Sequence, residues 1–497
     1  MRYYIQKEAI FKSEKLIDAI EKIKLLVGEN TSFEEIYRLL YDCQNEMIAL
    51  GNYLEAYADF EVCITYLEQA CELVYQCTIK DNYIQELNEI IQIIKEVKQT
   101  IISAKTDKIL IYFLPYKASM WDCFSSIYEE AKKDSRCEIV VMPIPYYEKG
   151  SGRKICEYDK FSSQISLMHY ENVILENVHP DIIYIQNPYD GTNKVTGVAE
   201  DYYTSKLKKY TSLLVYVPYY LSAMYKNEWR MMEKALLPGN INSDLVVLQS
   251  EKQKEIYVKN GAFPEKYIVA GSPKADAVIN IHKCNIDEIR YRLGIKSSKV
   301  IMLNTSITYF LYKNNINEIL TCLLGLIENT DITLLWRPHP LLQATIEAIN
   351  KETLTEYNSI IEKAEKTGKI YVDRSADPLD AIIVSDALIS DYSSILIQYY
   401  LTGKPVYSLD GNKTYRDTGI VIFDYYDAYL KSEGITLNDF VNMVLSGDDN
   451  RRNLRNERLK SYPELIDGKA GKRIHESVIN TLLDIKKKGM VKQNYES

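Results

Sequence analysis

The stretch that most constrains the fold is residues 385–410, SDALISDYSSILIQYYLTGKPVYSLD. It contains a short apolar run at 387–390, a polar turn, an apolar run of helix length at 395–401 closed by Gly403, and a second short run at 405–409. Short β-branched runs that alternate with helix-length runs are typical of βαβ units. A parallel sheet is therefore predicted, with ligands expected at the carboxyl ends of its strands.

The polar turn in this stretch has the composition of a phosphate site. A helix N-terminus offers free amide groups and a positive dipole end, so it can receive a phosphate. The hydroxyls of Ser393 and Ser394 can add hydrogen bonds, and Asp391 can cap the helix or orient a hydroxyl. On this stretch alone the simpler interpretation, plain helix caps, is slightly favoured.

A second stretch, residues 332–342 with the sequence ITLLWRPHPLL, shifts that balance. An apolar strand run ends in Arg337 and His339, and prolines at 338 and 340 fix the local backbone around both side chains. A fixed arginine can bond two phosphate oxygens at once, and a fixed histidine suits proton transfer near neutral pH. Together the two stretches predict a phosphate-handling site.

These motifs resemble those of the CDP-glycerol glycerophosphotransferases, enzymes that build teichoic-acid-type polyol-phosphate polymers. The family's R-x-HP element corresponds to Arg337–Pro340. Its sDvLItDYSS element corresponds to residues 385–394, and the GKP that follows it to residues 403–405. Residues 270–276, AGSPKAD, are similar to the family's G-x-P-[RK]-x-D turn, and residues 467–473 to its DGKAS-x-R element. The resemblance covers roughly residues 245–479, and the motifs occur in the family's order.

One motif of the family is missing. The family usually has a second histidine in a W-H-G-T-like turn after a strand of the N-terminal α/β domain. The nearest stretch here, residues 213–221 (LLVYVPYYL), contains no histidine, and that domain has only His169, His179 and His282. His179 precedes a strand, at the end away from ligands. The base that activates the acceptor is therefore left unassigned.

Composition excludes several classes of protein. A formal net charge of −9 makes a nucleic-acid partner unexpected. Nine cysteines without CxxC pairs indicate reduced thiols rather than a disulfide scaffold or a zinc site. No run approaches 18 apolar residues and the start is no signal peptide. We expect a cytoplasmic protein without cofactor or metal, a location compatible with peripheral attachment to the inner face of the plasma membrane.

Residues 1–105 form a distinct segment without proline. Apolar residues recur at helical spacing, as in Phe33, Ile36, Leu40, Cys43 and Met47. Three or four antiparallel helices with seams of coiled-coil type are predicted. A helical cap or dimerisation element, and hence a homo-oligomer, is the favoured role; docking to a partner or membrane is the alternative.

Residues 106–295 are predicted to be an acceptor-side Rossmann-like domain. Its predicted strands are 108–113, 138–144, 182–185, 213–217, 245–248 and 267–270. Ser119 with Asp122 is interpreted as the capping-box-like start of a helix. The loops that follow the strands supply candidate acceptor contacts, which are equally typical of exposed loop residues: Lys117, Asn187, Asp190 and Tyr219.

Residues 296–497 are predicted to be a nucleotide-binding Rossmann-like domain with closing helices. Its predicted strands are 300–303, 332–335, 370–372, 387–389 and 406–409. The first ends in a small polar turn with Thr305 and Ser306, which can contact a phosphate. Two such domains that face each other across a cleft form the GT-B architecture, which the family resemblance also implies.

The resemblance implies a transferase that uses a CDP-activated polyol and releases CMP. The pyrophosphate would bind at the amides of Ser393 and Ser394, and Arg337 and His339 would neutralise the charge that develops during transfer. The acceptor would be a polyol-phosphate or glycan, with a lipid-linked form among the options. The alternatives are a GT-B glycosyltransferase that uses a nucleotide sugar, a nucleotide-sugar epimerase, and a non-catalytic nucleotide-binding scaffold.

Overall fold

A helical segment is followed by two α/β units in this protein, for which we analysed a computed structural model. The structure describes residues 1–29, 31–80, 83–221, 227–313, 316–340, 342–349, 351–375, 377–391, 393, 395–409, 428–462 and 465–491. Among the helices of these residues, none is long and apolar enough to cross a membrane.

The helical segment is a ring of four helices within the described residues. Each packs on the next, and the fourth closes on the first. Their shared core includes Leu40, Met47, Leu67 and Ile94, which confirms the predicted helical segment. Phe33, predicted to lie in the seam, is exposed at the start of its helix. The helices are α1 (Tyr3–Gly28), α2 (Phe33–Glu55), α3 (Glu61–Ile79) and α4 (Ile84–Ser103).

The helical segment is attached to the first α/β unit. The Arg2 guanidinium donates to the backbone carbonyl of Val178, and to that of His179 over 2.7 Å. The Tyr4 ring stacks on the imidazole of His179 with 3.6 Å between ring centroids. His179 therefore serves at the contact between the two parts, and its φ of 43° places it in the left-handed region.

The first α/β unit is built on a parallel sheet of strand order β2-β1-β5-β7-β8-β9. Its four central strands are short apolar runs buried on both faces, as parallel sheets require, whereas its two edge strands are partly exposed. The strands are β1 (Ile109–Leu114), β2 (Cys137–Val141), β5 (Ile182–Ile185), β7 (Leu213–Tyr216), β8 (Leu245–Leu248) and β9 (Tyr267–Val269). The intervening helices are α5 (Asp122–Lys133), α6 (Leu175–Val178), α7 (Thr204–Leu207), α8 (Glu228–Ala235), α9 (Pro238–Asn242), α10 (Glu251–Lys259), α11 (Pro273–Ile279) and α12 (Ile286–Arg292).

A small antiparallel sheet is inserted in this unit and was not predicted from the sequence. Its strands are β3 (Tyr146–Glu148), β4 (Lys154–Ile155) and β6 (Thr196–Val198), with β3 in the middle. Runs of two or three residues are too short to show an alternating pattern, so these strands have no recognisable sequence signal. The Glu157 carboxylate ties this insert to the loop after β1, because it accepts from the backbone N–H of Ala118 over 2.8 Å.

The second α/β unit has a parallel sheet of strand order β12-β11-β10-β13-β14-β15. Its strands are β10 (Lys299–Thr305), β11 (Ile332–Pro338), β12 (Ile370–Val372), β13 (Ala387–Ser390), β14 (Val406–Ser408) and β15 (Tyr429–Leu430). The helices are α13 (Ile307–Lys313), α14 (Ile316–Ile327), α15 (Leu342–Ile349), α16 (Lys351–Lys366), α17 (Leu379–Val384), α18 (Ile395–Tyr400), α19 (Leu437–Ser446) and α20 (Arg452–Lys460). The strand order reverses between β10 and β13, and such a switch point is where ligands bind.

Helix α21 (Ala470–Val491) follows the second unit in sequence but packs on the first. Its residues Ile474, Val478 and Leu482 lie in the apolar core of the first sheet. From the sequence this helix is predicted to belong to the second domain, because sequence order alone does not show that the chain crosses back. The chain therefore runs from the first unit through the second and returns to the first unit at α21.

The crossing is fixed by residues of two family motifs. The Asp276 carboxylate accepts from the backbone N–H groups of Ala470 and Gly471, at 3.1 and 2.9 Å, and so caps α21 from another element. The Arg473 guanidinium donates to the carbonyl of Ala270. Gly271 has a φ of 85°, and a Cβ there would collide with the backbone carbonyl of Leu465. These motif residues therefore hold the returning chain segment and α21 on the first unit.

Candidate active site

A cleft of about 360 Å³ lies between the two α/β units. Its walls are the loops that follow strands of both sheets, which is where parallel sheets bind ligands. The first unit contributes Ser119, Met120, Tyr219, Tyr220, Leu221 and Lys274. The second contributes polar residues that include Asn304, Thr305, Ser306, Arg337, His339, Ser393 and Gln398.

Two hydrogen-bonded links join the ends of β10 and β13 at the switch point. The side-chain amide of Asn304 donates to the hydroxyls of Ser390 and Ser393, at 3.0 Å each. The Asp391 carboxylate accepts from the backbone N–H of Ser306 over 2.9 Å and from the Ser306 hydroxyl. The two polar turns predicted to contact phosphate are thus fixed to each other.

Arg337 is held in place by the loop after β12. Its guanidinium pairs with the Asp373 carboxylate, and Nη1 donates to the Ser375 hydroxyl over 2.9 Å. Asp373 is fixed in turn, because it accepts from the backbone N–H of Ser375 over 2.8 Å. Only 3% of Arg337 is exposed, so the cleft wall contains an oriented and largely desolvated cation.

His339 follows β11 and lies in the cleft wall beside Arg337. Its backbone N–H donates to the carbonyl of Thr305 over 3.0 Å, which fixes the residue to the end of β10. Burial lowers the pKa of His339, and the nearby Arg337 cation lowers it further. The imidazole is therefore mainly neutral at pH 7, the form that can accept a proton.

The structure brings most of the predicted site residues together, but in different roles. Arg337, His339, Ser306 and Ser393 line the cleft. Thr305 also lines it, although its hydroxyl accepts from the Trp336 indole N–H over 3.2 Å. Asp391 lies behind Ser306 and is 4% exposed, so its carboxylate positions the turn. Ser394, predicted to bind phosphate, lies outside the described residues.

Lys117 is not brought into the cleft. Its ammonium lies over the rings of Tyr116 and Tyr146, at 5.6 and 5.2 Å from their centroids. Burial lowers the pKa of Lys117 despite the nearby carboxylate of Glu157. The prediction placed it by sequence position after β1, but attraction to the two rings directs the side chain toward the inserted sheet.

Of the other three acceptor-side candidates, one lines the cleft and two do not. Tyr219 lines the cleft, and Tyr220 lies beside it. Asp190 instead accepts from the backbone N–H and hydroxyl of Thr204, at 3.0 and 2.8 Å, and the Asn187 side chain accepts from the backbone N–H of Tyr189. Among the described side chains of the first unit, no histidine lines the cleft.

The predicted capping box at the start of α5 is wrong. The Ser119 side chain makes no cap, because residues 118–120 form a 3₁₀ turn and the helix begins three residues later. Asp122 is buried and pairs with Lys274. The sequence pattern was misleading because Ser119 lines the cleft and the Asp122 carboxylate is taken up by Lys274.

Lys404 of the GKP motif supports the site from behind. Its ammonium donates to the carbonyls of Ile382, Ile383 and Ser385 at 2.7–3.0 Å, and so satisfies the carboxyl end of α17. Burial lowers the pKa of Lys404 to about 8. This lysine fixes the start of β13 rather than binding phosphate.

Sequence reasoning missed three residues of the site, Asp373, Lys274 and Gln398. Asp373 follows a strand next to β11, so its place at a carboxyl strand end was a usable signal. Lys274 lies in the G-x-P-[RK]-x-D motif, whose pattern alone suggested no role. Gln398 lies within α18 and carries no signal, because a glutamine in a helix is ordinary.

A group of potential metal ligands lies away from the cleft, among the residues that the structure describes. Atoms of Asp134, Cys137 and His475 lie within 4.8 Å of one another. Asp134 already accepts from the Arg136 guanidinium, at 2.7 and 2.9 Å, and contacts the His475 imidazole at 3.0 Å. The cation beside this carboxylate opposes binding of a metal ion, and the group is explained as a link from α21 to the turn before β2.

Comparison with solved structures shows the fold. A variant of the wall teichoic acid polymerase TagF has 13% identity and a TM-score of 0.50, over 85% of this chain and 98% of that chain. The UDP-GlcNAc 2-epimerase of Neisseria meningitidis has 14% identity and a TM-score of 0.47, over 75% of this chain and 100% of that chain. The two parallel α/β units that face each other across a cleft, together with the likeness to TagF, make the fold GT-B-like, as predicted.

Sequence comparison shows the family. No curated protein matches the chain significantly. The family described as CDP-glycerol:poly(glycerophosphate) glycerophosphotransferase matches residues 223–480, which is more than half of the chain. The matched region contains the whole second unit and the motifs at Arg337–Pro340 and Asp391–Ser394, so the predicted relationship is confirmed. The chain therefore belongs to the CDP-glycerol:poly(glycerophosphate) glycerophosphotransferase family and is a transferase enzyme.

Proposed function

We propose that the protein transfers a glycerol-phosphate group, or a related polyol-phosphate group, from a CDP-activated donor to a hydroxyl acceptor. The observation that carries this proposal is the cleft itself. It joins an oriented arginine, a mainly neutral histidine and hydroxyl-bearing turns at a topological switch point. These are the groups that phosphoryl transfer requires, because positioning and charge neutralisation supply most of its catalysis.

The proposed reaction proceeds by displacement at phosphorus. The acceptor oxygen attacks the phosphorus that bears the polyol, and the bond from that phosphorus to the bridging oxygen breaks. CMP leaves with the electron pair of that bond. Arg337 neutralises the charge on the phosphate oxygens, while the amide and hydroxyl of Ser393 hold the pyrophosphate. His339 is the candidate to accept the acceptor's proton, because its lowered pKa keeps it mainly neutral.

We further propose that the product is a teichoic-acid-like or capsular polymer of a bacterial cell surface. The family supports a polyol-phosphate product. The acceptor would be a polyol-phosphate or glycan chain, and a lipid-linked acceptor would place the enzyme on the inner face of the membrane. A long polymer acceptor must insert its end into the site from one side. The open cleft between two loop-lined walls would allow this.

The experiment that tests this proposal is identification of the released nucleotide. The protein is incubated with CDP-glycerol, CDP-ribitol and several nucleotide sugars, each with and without a polyol-phosphate acceptor. Release of CMP from a CDP-polyol supports the proposal and identifies the polyol. Release of a nucleoside diphosphate from a nucleotide sugar would identify a glycosyltransferase instead. Nucleotide binding without release of either would identify a scaffold.

A further inference from the structure

The first unit contributes a cation to the cleft that the proposed chemistry has not used. Of the described residues that line the cleft, two carry a permanent positive charge, Arg337 from the second unit and Lys274 from the first. Lys274 follows β9 in the second residue of α11, at the carboxyl edge of the first sheet. The two cations therefore come from different walls of the same cleft.

The Lys274 ammonium is held in place rather than mobile. Its Nζ lies 2.5 Å from Oδ2 of Asp122, whose side chain is 2% exposed. Burial alone would lower the pKa of Lys274, but the carboxylate of Asp122 outweighs this, and the net shift is upward. Lys274 is therefore a cation at neutral pH and is excluded as the general base.

A carboxylate of the second unit faces the same pair. Asp377, in the loop between β12 and α17, interacts with both Lys274 and Asp122. Its Oδ1 accepts from the backbone N–H of Leu379 over 2.9 Å, which fixes its position. The same loop holds Arg337 through Asp373 and Ser375. One loop therefore holds Arg337 and also places a carboxylate in the electrostatic surroundings of Lys274.

A purely structural ion pair would not need access to the cleft. The Lys274 side chain nevertheless keeps 15% of its surface exposed and forms part of the cleft wall, while its partner Asp122 is closed off. A buried pair by itself is weak evidence for stability, since apolar residues often serve as well. An oriented cation at the edge of a phosphate site has a direct use, because the transferred group gains charge on its oxygens in the transition state.

We infer that Lys274 is a substrate-binding residue of the first unit, whose ammonium contacts the phosphoryl group during transfer to the acceptor. Asp122 is the positioning residue that aims it. This inference rests on the proposed function and deepens it, because it assigns charge neutralisation to the acceptor-side wall. No histidine is found among the described cleft residues of the first unit. Arg337 and Lys274 then enclose the reacting phosphorus between cations from both walls.

The test compares Lys274→Met and Lys274→Arg with the unchanged chain. Two quantities are measured: CMP release from CDP-glycerol with an acceptor, and binding of CMP by calorimetry. We expect Lys274→Met to lower kcat by about 10²–10³-fold, the range for loss of one oxyanion-type contact. CMP binding should change less than about threefold, because CMP lacks the transferred group. Lys274→Arg should recover part of the rate because it keeps the charge.

A matched control is Lys486→Met. Lys486 is also a buried lysine paired with an aspartate, Asp181 at 3.8 Å, but it lies in α21 away from the cleft. The Lys486→Met change should lower the free energy of unfolding without changing kcat. If Lys274→Met fails to fold, the double variant Asp122→Asn with Lys274→Gln removes both charges of the pair and avoids an unpaired buried charge. It should still lose the same factor in kcat.

The outcomes separate this inference from the proposed function. If the unchanged chain releases no CMP from any CDP-polyol, the proposed function is wrong and the inference fails with it. If the unchanged chain is active and a folded Lys274 variant keeps its full kcat, the inference alone is wrong. An equal loss of kcat in the Lys486→Met control would also overturn it, since the effect would then be one of stability.

Discussion

Replacing Asp373 by Asn should destabilise the second α/β unit by leaving the Arg337 guanidinium without its carboxylate. The change is nearly isosteric, but it removes the charge and leaves one acceptor oxygen for two donors, the Arg337 guanidinium and the backbone N–H of Ser375. Arg337 and the Asp373 side chain are only 3% and 7% exposed, so water cannot replace the lost partner fully. Loss of one member of a buried pair costs about 3–5 kcal/mol, and access from the cleft favours the lower end, about 3 kcal/mol.

Urea unfolding followed by tryptophan fluorescence measures this loss. Trp336 directly precedes Arg337 in β11 and is fully buried, so its emission reports on this strand. A slope of about 3 kcal/mol per molar urea converts 3 kcal/mol into a midpoint lowered by about 1 M. We give the result as a midpoint shift, because a chain with several domains need not unfold in one step.

The matched control is Asp380→Asn. Asp380 also pairs with an arginine, Arg292, but both side chains are about half exposed. Exposed pairs contribute less than about 1 kcal/mol, so the midpoint should move by less than about 0.3 M. If Asp373→Asn moved the midpoint no further than this control, the assignment of Asp373 as the structural partner of Arg337 would be refuted.

Four further predictions concern the cleft, the crossing helix and the helical segment. His339→Ala should slow CMP release by roughly 10²–10⁴-fold with folding intact, whereas His179→Ala should cost only stability; a folded and fully active His339→Ala protein would contradict the assignment. Because burial and Arg337 lower the pKa of His339, kcat/KM should rise with pH to a midpoint below 6.5, and a midpoint above 6.5 would oppose His339 as the base. Asp276→Ala should lower the free energy of unfolding by about 2–4 kcal/mol, since two amide donors at the start of α21 lose their acceptor, while Asp276→Asn should cost less; calorimetry would measure both. Light scattering should detect self-association that Tyr37→Glu weakens, because Tyr37 lies in an exposed aromatic row on α2; an unchanged monomer mass in both proteins would remove this idea.

The parts of the fold that local pattern determines could be predicted from the sequence. Strands 182–185, 245–248 and 370–372 have the predicted bounds, because a buried parallel strand needs an uninterrupted β-branched run. The place of Arg337 and His339 in a cleft follows from the same logic, since carboxyl strand ends meet at one edge of a sheet.

The parts that depend on distant contacts could not be predicted. Asp373 lies 36 residues beyond its partner Arg337, and no spacing rule joins a strand end to the loop after the next strand. The direction of the Lys117 side chain depends on the ring of Tyr146, from an inserted sheet with no sequence signature. The pairing of Asp122 with Lys274 spans 152 residues, whereas its local pattern suggested a helix cap.

The crossing of α21 has a consequence for how the chain can fold during synthesis. The first sheet is translated before Ile474, Val478 and Leu482, which complete one of its apolar cores. At about 5–20 residues per second, the nearly 190 residues between the first unit and the end of this core take about 10–40 s to make. During that time α5 covers this face of the first sheet without α21. We expect the first unit to reach its final packing only after the second unit has been made and α21 has emerged.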